Sequence, residues 1–208
     1  MAYLNNSIYT PALSSNFHPL ILKLYLKGGI YRMNPIVKLY AYDPNWAQQF
    51  EFEKNRILAA LGDKAHGIEH IGSTSIKGLK AKPIIDILVG IQNLDELSTY
   101  ISALHDIDFD YIPKPEFKDR LFFRKGPWGQ GICHLHICEI DSSEWIEKLL
   151  FRDYLRLHPE VAEEYAVLKI ALAAKYPFDR PTYTKNKEPF IQSIIDKARK
   201  EIYSKGRS

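Results

Sequence analysis

The chain has 208 residues, 46% of them hydrophobic and 12% aromatic, with 28 Lys and Arg against 25 Asp and Glu and a net charge of +3. This is the balance of a soluble globular protein with one main domain, and a chain of this length buries about 70% of its unfolded surface without a disulfide or metal staple. The charge is too small for a dedicated nucleic-acid binder, so electrostatics leave the partner open.

The first charged residue is Lys23, so residues 1–22 lack the positive start of a secretory signal, and Pro11 and Pro19 interrupt them. The most apolar stretch there, Leu20 to Leu26, contains Lys23 and is far shorter than the roughly 20 residues of a membrane span. A cytoplasmic protein is expected. Residues 1–32 show no clear period, and Met33 is the only methionine after Met1. They are expected to form an N-terminal arm, disordered or translated from an upstream start, ahead of a single domain over 33–208.

Val37 to Tyr42 reads as a short strand. Asp43 as N-cap and Pro44 as first helical residue then open a helix to about Leu61, stopped by Gly62. Trp46, Phe50, Ile57 and Leu61 supply its apolar face. Ile68–Ile71 is a strand leading into Gly72-Ser73-Thr74-Ser75. Pro83–Ile91, rich in β-branched residues, is a buried central strand. A helix follows from about Leu94 to His105, then strands at Phe109–Ile112, Leu121–Lys125 and Ile132–Glu139. Gly126, Pro127, Gly129 and Gly131 supply the turn between the last two. From Ser142 the period becomes helical, with helices near Ser143–Leu157, from Pro159 to before Pro177, and from about Lys187 to Tyr203. The sheet part spans about 36–140 and the helical part about 142–203. The basic end of the last helix, with Lys197, Arg199, Lys200, Lys205 and Arg207, reads as a solvated face.

Gly67 and Gly72 have the first spacing of a P-loop, but Ser73 stands where its lysine belongs, which rejects that motif. Instead, Gly72 permits close backbone approach, and Ser73, Thr74 and Ser75 can line an anion site or cap a turn. Asp86 is a lone carboxylate inside Pro83-Ile84-Ile85-Asp86-Ile87-Leu88-Val89, expensive to bury unless paired, hydrogen-bonded or bound to metal. In Cys133-His134-Leu135-His136-Ile137-Cys138 the two imidazoles share one strand face, where they can ligate a metal, act as a base, or serve as core histidines. Cys133 and Cys138 point to opposite faces and read as reduced, buried thiols; with no CxxC present, a closed zinc site is disfavoured. Arg120, Arg124 and Lys125, with Lys77, Lys80 and Lys82, would make a cationic rim if their segments converge.

These segments together resemble the GrpB family: His70 to Ser75, Gly78-Leu79, Ala81 to Ile87, His134-Leu135-His136, and the later Asp179, Tyr183-Thr184, Lys187 and Phe190-Ile191. The resemblance covers about Ile36 to Ala198. It implies an α+β, nucleotidyltransferase-like fold, a mixed β-sheet flanked by helices with a C-terminal helical lobe, and a link to domains fused to dephospho-CoA kinases. Nucleotidyltransferases of this kind follow a Gly-Ser motif with an Asp-x-Asp strand and a third acid on a later strand, holding two divalent ions against a nucleoside triphosphate. Here Gly72-Ser73 matches the first motif and Asp86 the first acid, while Leu88 replaces the second acid and His134 and His136 stand where the third is expected.

The resemblance therefore implies catalytic or metal-ligating roles for Asp86, His134 and His136, and nucleotide binding by Gly72, Ser73, Thr74, Ser75, Lys82, Arg124, Tyr183 and Lys187. A non-standard site is expected, with one divalent ion (Mg²⁺, Mn²⁺ or Zn²⁺) or none; Glu69 or Glu139 is available as an added oxygen ligand, but as neighbours of strand ends both read as solvated. The expected ligand is a nucleotide or other phosphate compound, with a protein acceptor as one option and no membrane partner. Two other readings stand beside the transferase: a non-catalytic module for nucleotides or CoA-type ligands, and an interaction module anchored by Trp145, Phe151 and Tyr154.

Overall fold

The computed structural model describes residues 36–127 and 130–205. The expectations for residues 1–32, Gly129 and Arg207 lie outside the described residues. Helix α1 (Asn45–Leu61) starts directly after Pro44, and the Asp43 carboxylate accepts a hydrogen bond from the Asn45 N–H at 2.9 Å. It ends at Gly62, whose φ of +58° is a conformation few other residues adopt at low cost.

Five strands follow: β1 (Gly67–Ile71), β2 (Ile85–Ile91), β3 (Asp110–Tyr111), β4 (Arg120–Lys125) and β5 (Cys133–Glu139). A turn at Leu94–Glu96 and helix α2 (Leu97–His105) lie between β2 and β3. The sheet order is β1-β2-β5-β4-β3, with β2 and β5 parallel and every other pair antiparallel. The apolar β2 is central, as its composition predicts.

The strand expected over 37–42 is reduced to one bridge between Tyr40 and Ala81. Tyr40 and Ala81 exchange both backbone hydrogen bonds, at 2.8 and 3.0 Å. The next antiparallel pair would need an N–H from Pro83, which has none. Val37 instead donates its N–H to the Pro177 carbonyl and packs with Leu172 and Tyr183, tying this segment to the C-terminal helices.

Period two separates the sheet into two faces. On one, Ile85, Ile87, Val89, Ile91, Leu135, Ile137 and Phe123 meet Trp46, Phe50, Ile57 and Leu61 of α1 and Tyr100 and Leu104 of α2. Each fully buried aliphatic side chain contributes about 1.5–3 kcal/mol, so this face is the main core. The other face meets the C-terminal lobe: α3 (Ser143–Leu157), α4 (Pro159–Lys175), α5 (Arg180–Lys185) and α6 (Glu188–Lys205). Ser142 caps α3 by accepting from the Trp145 N–H, and Asp179 caps the short α5, which the helical period does not reveal, by accepting from Thr182.

Trp145 packs with Ile71, Leu88 and Cys138 in a second core. Its indole fills a slot left by the paired Gly67 and Gly90, where a Cβ would come within 2.7 and 2.9 Å of the ring. Phe151 and Tyr154 pack inside the lobe with Leu155, Tyr165 and Ile194. All three aromatic residues offered as interaction anchors are thus packing residues, as aromatic side chains at helical spacing commonly are. Cys133 and Cys138 are free and buried on opposite faces, and burial pushes their thiols up to about 12 and 11. Among the described residues no helix is long and apolar enough to cross a membrane.

Candidate functional site

The site lies where the N-terminal halves of β2 and β5 face the C-terminal lobe. Asp86 and His134 are register partners on adjacent parallel strands, which brings His134 Nδ1 to 3.1 Å from Asp86 Oδ1. Both side chains are half-buried. Burial alone would raise the Asp86 pKa, but the hydrogen bond from His134 and the surrounding positive charge outweigh it and hold the carboxyl below its usual value.

His136 lies two residues on along the same face, and burial holds it down to about 3, so it is neutral at ordinary pH. Its Nδ1 is buried with no hydrogen-bond partner. The Phe122 ring packs beside both imidazoles, with centroids 5.3 Å from His134 and 5.1 Å from His136. Arg124 stands opposite His134 in the β4–β5 register and so shares this face.

The Gly72 turn presses on the acid from above. With φ +69° and ψ −174°, Gly72 occupies a region essentially reserved for glycine, and a Cβ there would lie 2.3 Å from Asp86 Oδ2. The three hydroxyls of the turn then divide their work. Thr74 is buried; its Oγ1 donates to the Ile84 carbonyl at 3.2 Å and lies 3.0 Å from His70 Nε2. Ser75 Oγ donates to the Gly72 carbonyl, and Arg156 holds the Ser75 carbonyl. Both therefore shape the turn, while Ser73 Oγ accepts from Lys169 Nζ at 3.0 Å and faces a cluster of cations.

Lys169 is 2% exposed, donates also to the Lys80 carbonyl at 2.5 Å, and sits over the Tyr165 ring at 4.9 Å. Burial, with Lys187 and Lys82 nearby, lowers its pKa to about 7. Lys82 falls to about 8, through burial and then repulsion from Arg180 and Lys187. Lys187 is lowered mainly by burial, which the charge of Asp86 partly opposes. Lys82 and Lys187 both lie against the ring of the buried Tyr183, at 5.7 and 4.7 Å. Of the nucleotide-binding set drawn from the sequence, Gly72, Ser73, Lys82, Tyr183 and Lys187 are thus brought into one cluster around Asp86.

Other expectations are corrected. Lys125 points to the opposite face, where it is buried against Glu53 with Nζ 2.9 Å from both carboxylate oxygens; in antiparallel β4 it alternates with Arg124. Arg120 is bound to Glu144, and Lys77 and Lys80 are exposed. Glu69 is engaged by Arg152 at 2.5 Å, and Glu139 lies at the far end of β5, so neither adds an oxygen to the site. Among the described residues no three His, Cys, Asp or Glu side chains converge as a metal cage, so Asp86, His134 and His136 do not form a ready ligand set.

Sequence reasoning missed Lys169, Tyr165 and Arg180. Lys169 falls in phase with Val161, Ala162, Tyr165, Ala166 and Leu172 on the buried stripe of α4, a pattern that marks an interior lysine.

The profile described as GrpB protein matches residues 36–197. The chain belongs to the GrpB family. It is 34% identical over 164 residues to the glutamate-rich protein GrpB of Alkalihalophilus pseudofirmus, covering 77% of this chain and 94% of that protein. It is 37% identical over 174 residues to UPF0157 protein YqkA of Bacillus subtilis, covering 83% of this chain but only about half, 49%, of that protein's length. The crystal structure of the conserved protein GrpB from Enterococcus faecalis matches with a TM-score of 0.74 and 34% identity, over 80% of this chain and 99% of that one. A more distant match, 26% identical over 187 residues, is the dephospho-CoA kinase of Mycobacterium bovis, covering 77% of this chain and 46% of that protein.

Proposed function

We propose that this GrpB-family protein binds the phosphates of a nucleoside triphosphate between the Gly72 turn and the C-terminal lobe, and transfers the nucleotidyl group to a hydroxyl acceptor. The observation that supports it is the packing of the Gly72 backbone against Asp86, with Ser73, Lys82, Lys169 and Lys187 gathered around the acid. In this reading the Ser73 hydroxyl and the lysines hold the β- and γ-phosphates. The acceptor oxygen attacks the α-phosphorus and its proton passes to the Asp86–His134 pair. The bond from the α-phosphorus to its bridging oxygen breaks, and pyrophosphate departs with its charge carried by the lysines.

A second reading is a non-catalytic module for a nucleotide or CoA-type ligand. Leu88 favours it, because the position of the second acid is wholly buried and apolar. The match to a dephospho-CoA kinase accords with a ligand of that phosphate chemistry.

The test is pyrophosphate release from ATP, GTP, CTP and UTP, with the protein itself, RNA and small alcohols offered as acceptors, alongside calorimetric binding. The transferase reading expects release that falls by roughly a hundredfold or more in Asp86→Asn while nucleotide binding persists. Binding without release from any nucleotide rejects transfer and leaves the binding module standing.

A further inference from the structure

A nucleotidyl-transfer site built on two divalent ions needs several carboxylate oxygens converging on the phosphates. The described residues do not supply them. Asp86 is the one acid on the lobe side of β2, and Leu88, the next residue on that face, is fully buried. His134 directs Nδ1 to Asp86 Oδ1, and no third His, Cys, Asp or Glu joins them as a cage. The donor set therefore does not fit the two-ion arrangement.

The same site has more basic groups than acids. Lys82 and Lys187 lie within electrostatic reach of Asp86, Arg180 acts on Lys82, and Lys169 is pressed by Lys82 and Lys187. Lys169 is almost completely buried, yet its hydrogen bonds go to two neutral oxygens, Ser73 Oγ and the Lys80 carbonyl. The Arg180 Nε is also buried with no hydrogen-bond partner. Buried ammonium groups crowded by like charges are costly unless a counter-charge arrives. A polyphosphate is the ligand class that supplies several negative charges along one short chain.

We infer that this cluster neutralises a polyphosphate with the ammonium groups of Lys82, Lys169 and Lys187, supported by Arg180, and binds it without a divalent ion. Lys169 is the central group, because it touches the Ser73 hydroxyl that would also meet the phosphate oxygens. The inference rests on the phosphate-binding part of the proposed function and specifies how that binding is achieved.

Inorganic tripolyphosphate and ATP, titrated calorimetrically into the full chain, test it. The titrations are run in EDTA and in Mg²⁺, with thermal unfolding of each variant as a check on folding. Binding is expected in EDTA, no weaker than in Mg²⁺. Lys169→Met should weaken it by roughly tenfold or more, and Lys187→Gln, at a half-buried position that tolerates change better, should weaken it in the same direction. Asp86→Asn should tighten tripolyphosphate binding, since it removes the acid that opposes the anion. Binding that appears only with Mg²⁺ and vanishes in Asp86→Asn overturns the inference while leaving nucleotide binding intact. Absence of binding by either compound in every condition overturns both.

Discussion

Lys125 and Lys169 are both buried lysines, 7% and 2% exposed, on opposite sides of the same sheet. Lys125 has Glu53 at 2.9 Å on both carboxylate oxygens, with Asp108 at 3.7 Å, in the core formed with α1. Lys169 has a serine hydroxyl, a carbonyl and two neighbouring lysines. The first charge is matched within the fold and works as structure. The second is left to be matched by something that enters, and the contrast separates an architectural ion pair from a binding group.

Breaking the matched pair should cost the most. Glu53→Ala leaves the Lys125 ammonium with only the exposed Asp108 at 3.7 Å and is expected to lower stability by about 3 kcal/mol, read by urea denaturation. Adding Lys125→Met should recover most of that loss; no recovery would mean that Glu53 stabilises the fold through another contact, such as that with Arg56. Next comes Gly72→Ala, which forces a side chain into a positive-φ position and against Asp86. We expect about 1–3 kcal/mol of destabilisation, with loss of nucleotide binding even at temperatures where the protein stays folded. Wild-type binding by this variant would show that Asp86 and the turn need not touch.

The effect that is smallest per pH unit concerns protons on the unmatched lysine. Its pKa of about 7 in the folded protein lies below the usual 10.5, so the unfolded chain binds more protons between those values. The penalty is complete below pH 7 and disappears above 10.5, so the wild type should gain stability relative to Lys169→Met as pH rises from 7 to 9. The slope is at most about 1.4 kcal/mol per pH unit. Lys82, at about 8, responds in the same direction and is present in both proteins, so the difference reads Lys169 together with its coupling to Lys82 and Lys187. A pH-independent difference would place a permanently charged ammonium at that position.

The sheet was legible where local pattern and tertiary demand agree. The Pro83–Ile91 run is central because it is apolar on both faces, and period two puts His134 and His136 on one side of β5. Asp86 stands out as a carboxylate within that run, and its pairing with His134 follows once β2 and β5 lie parallel in register. What could not be read depends on distance along the chain. Lys125 meets a glutamate 72 residues away, and Lys169 meets a serine 96 residues away. The strand at 37–42 fails for a similar reason: whether an extended segment becomes a strand depends on its partner, and here a proline stands where the next donor is needed.

The glycine slot under Trp145 also fixes where α3 lies on the sheet. The indole sits against Gly67 and Gly90 on the same face that carries Asp86, and it belongs to the helix that leads into the lobe bearing Lys169 and Lys187. Sliding the lobe along the sheet would drive that ring into strand backbone, so a single tryptophan keys α3 to one place on the sheet.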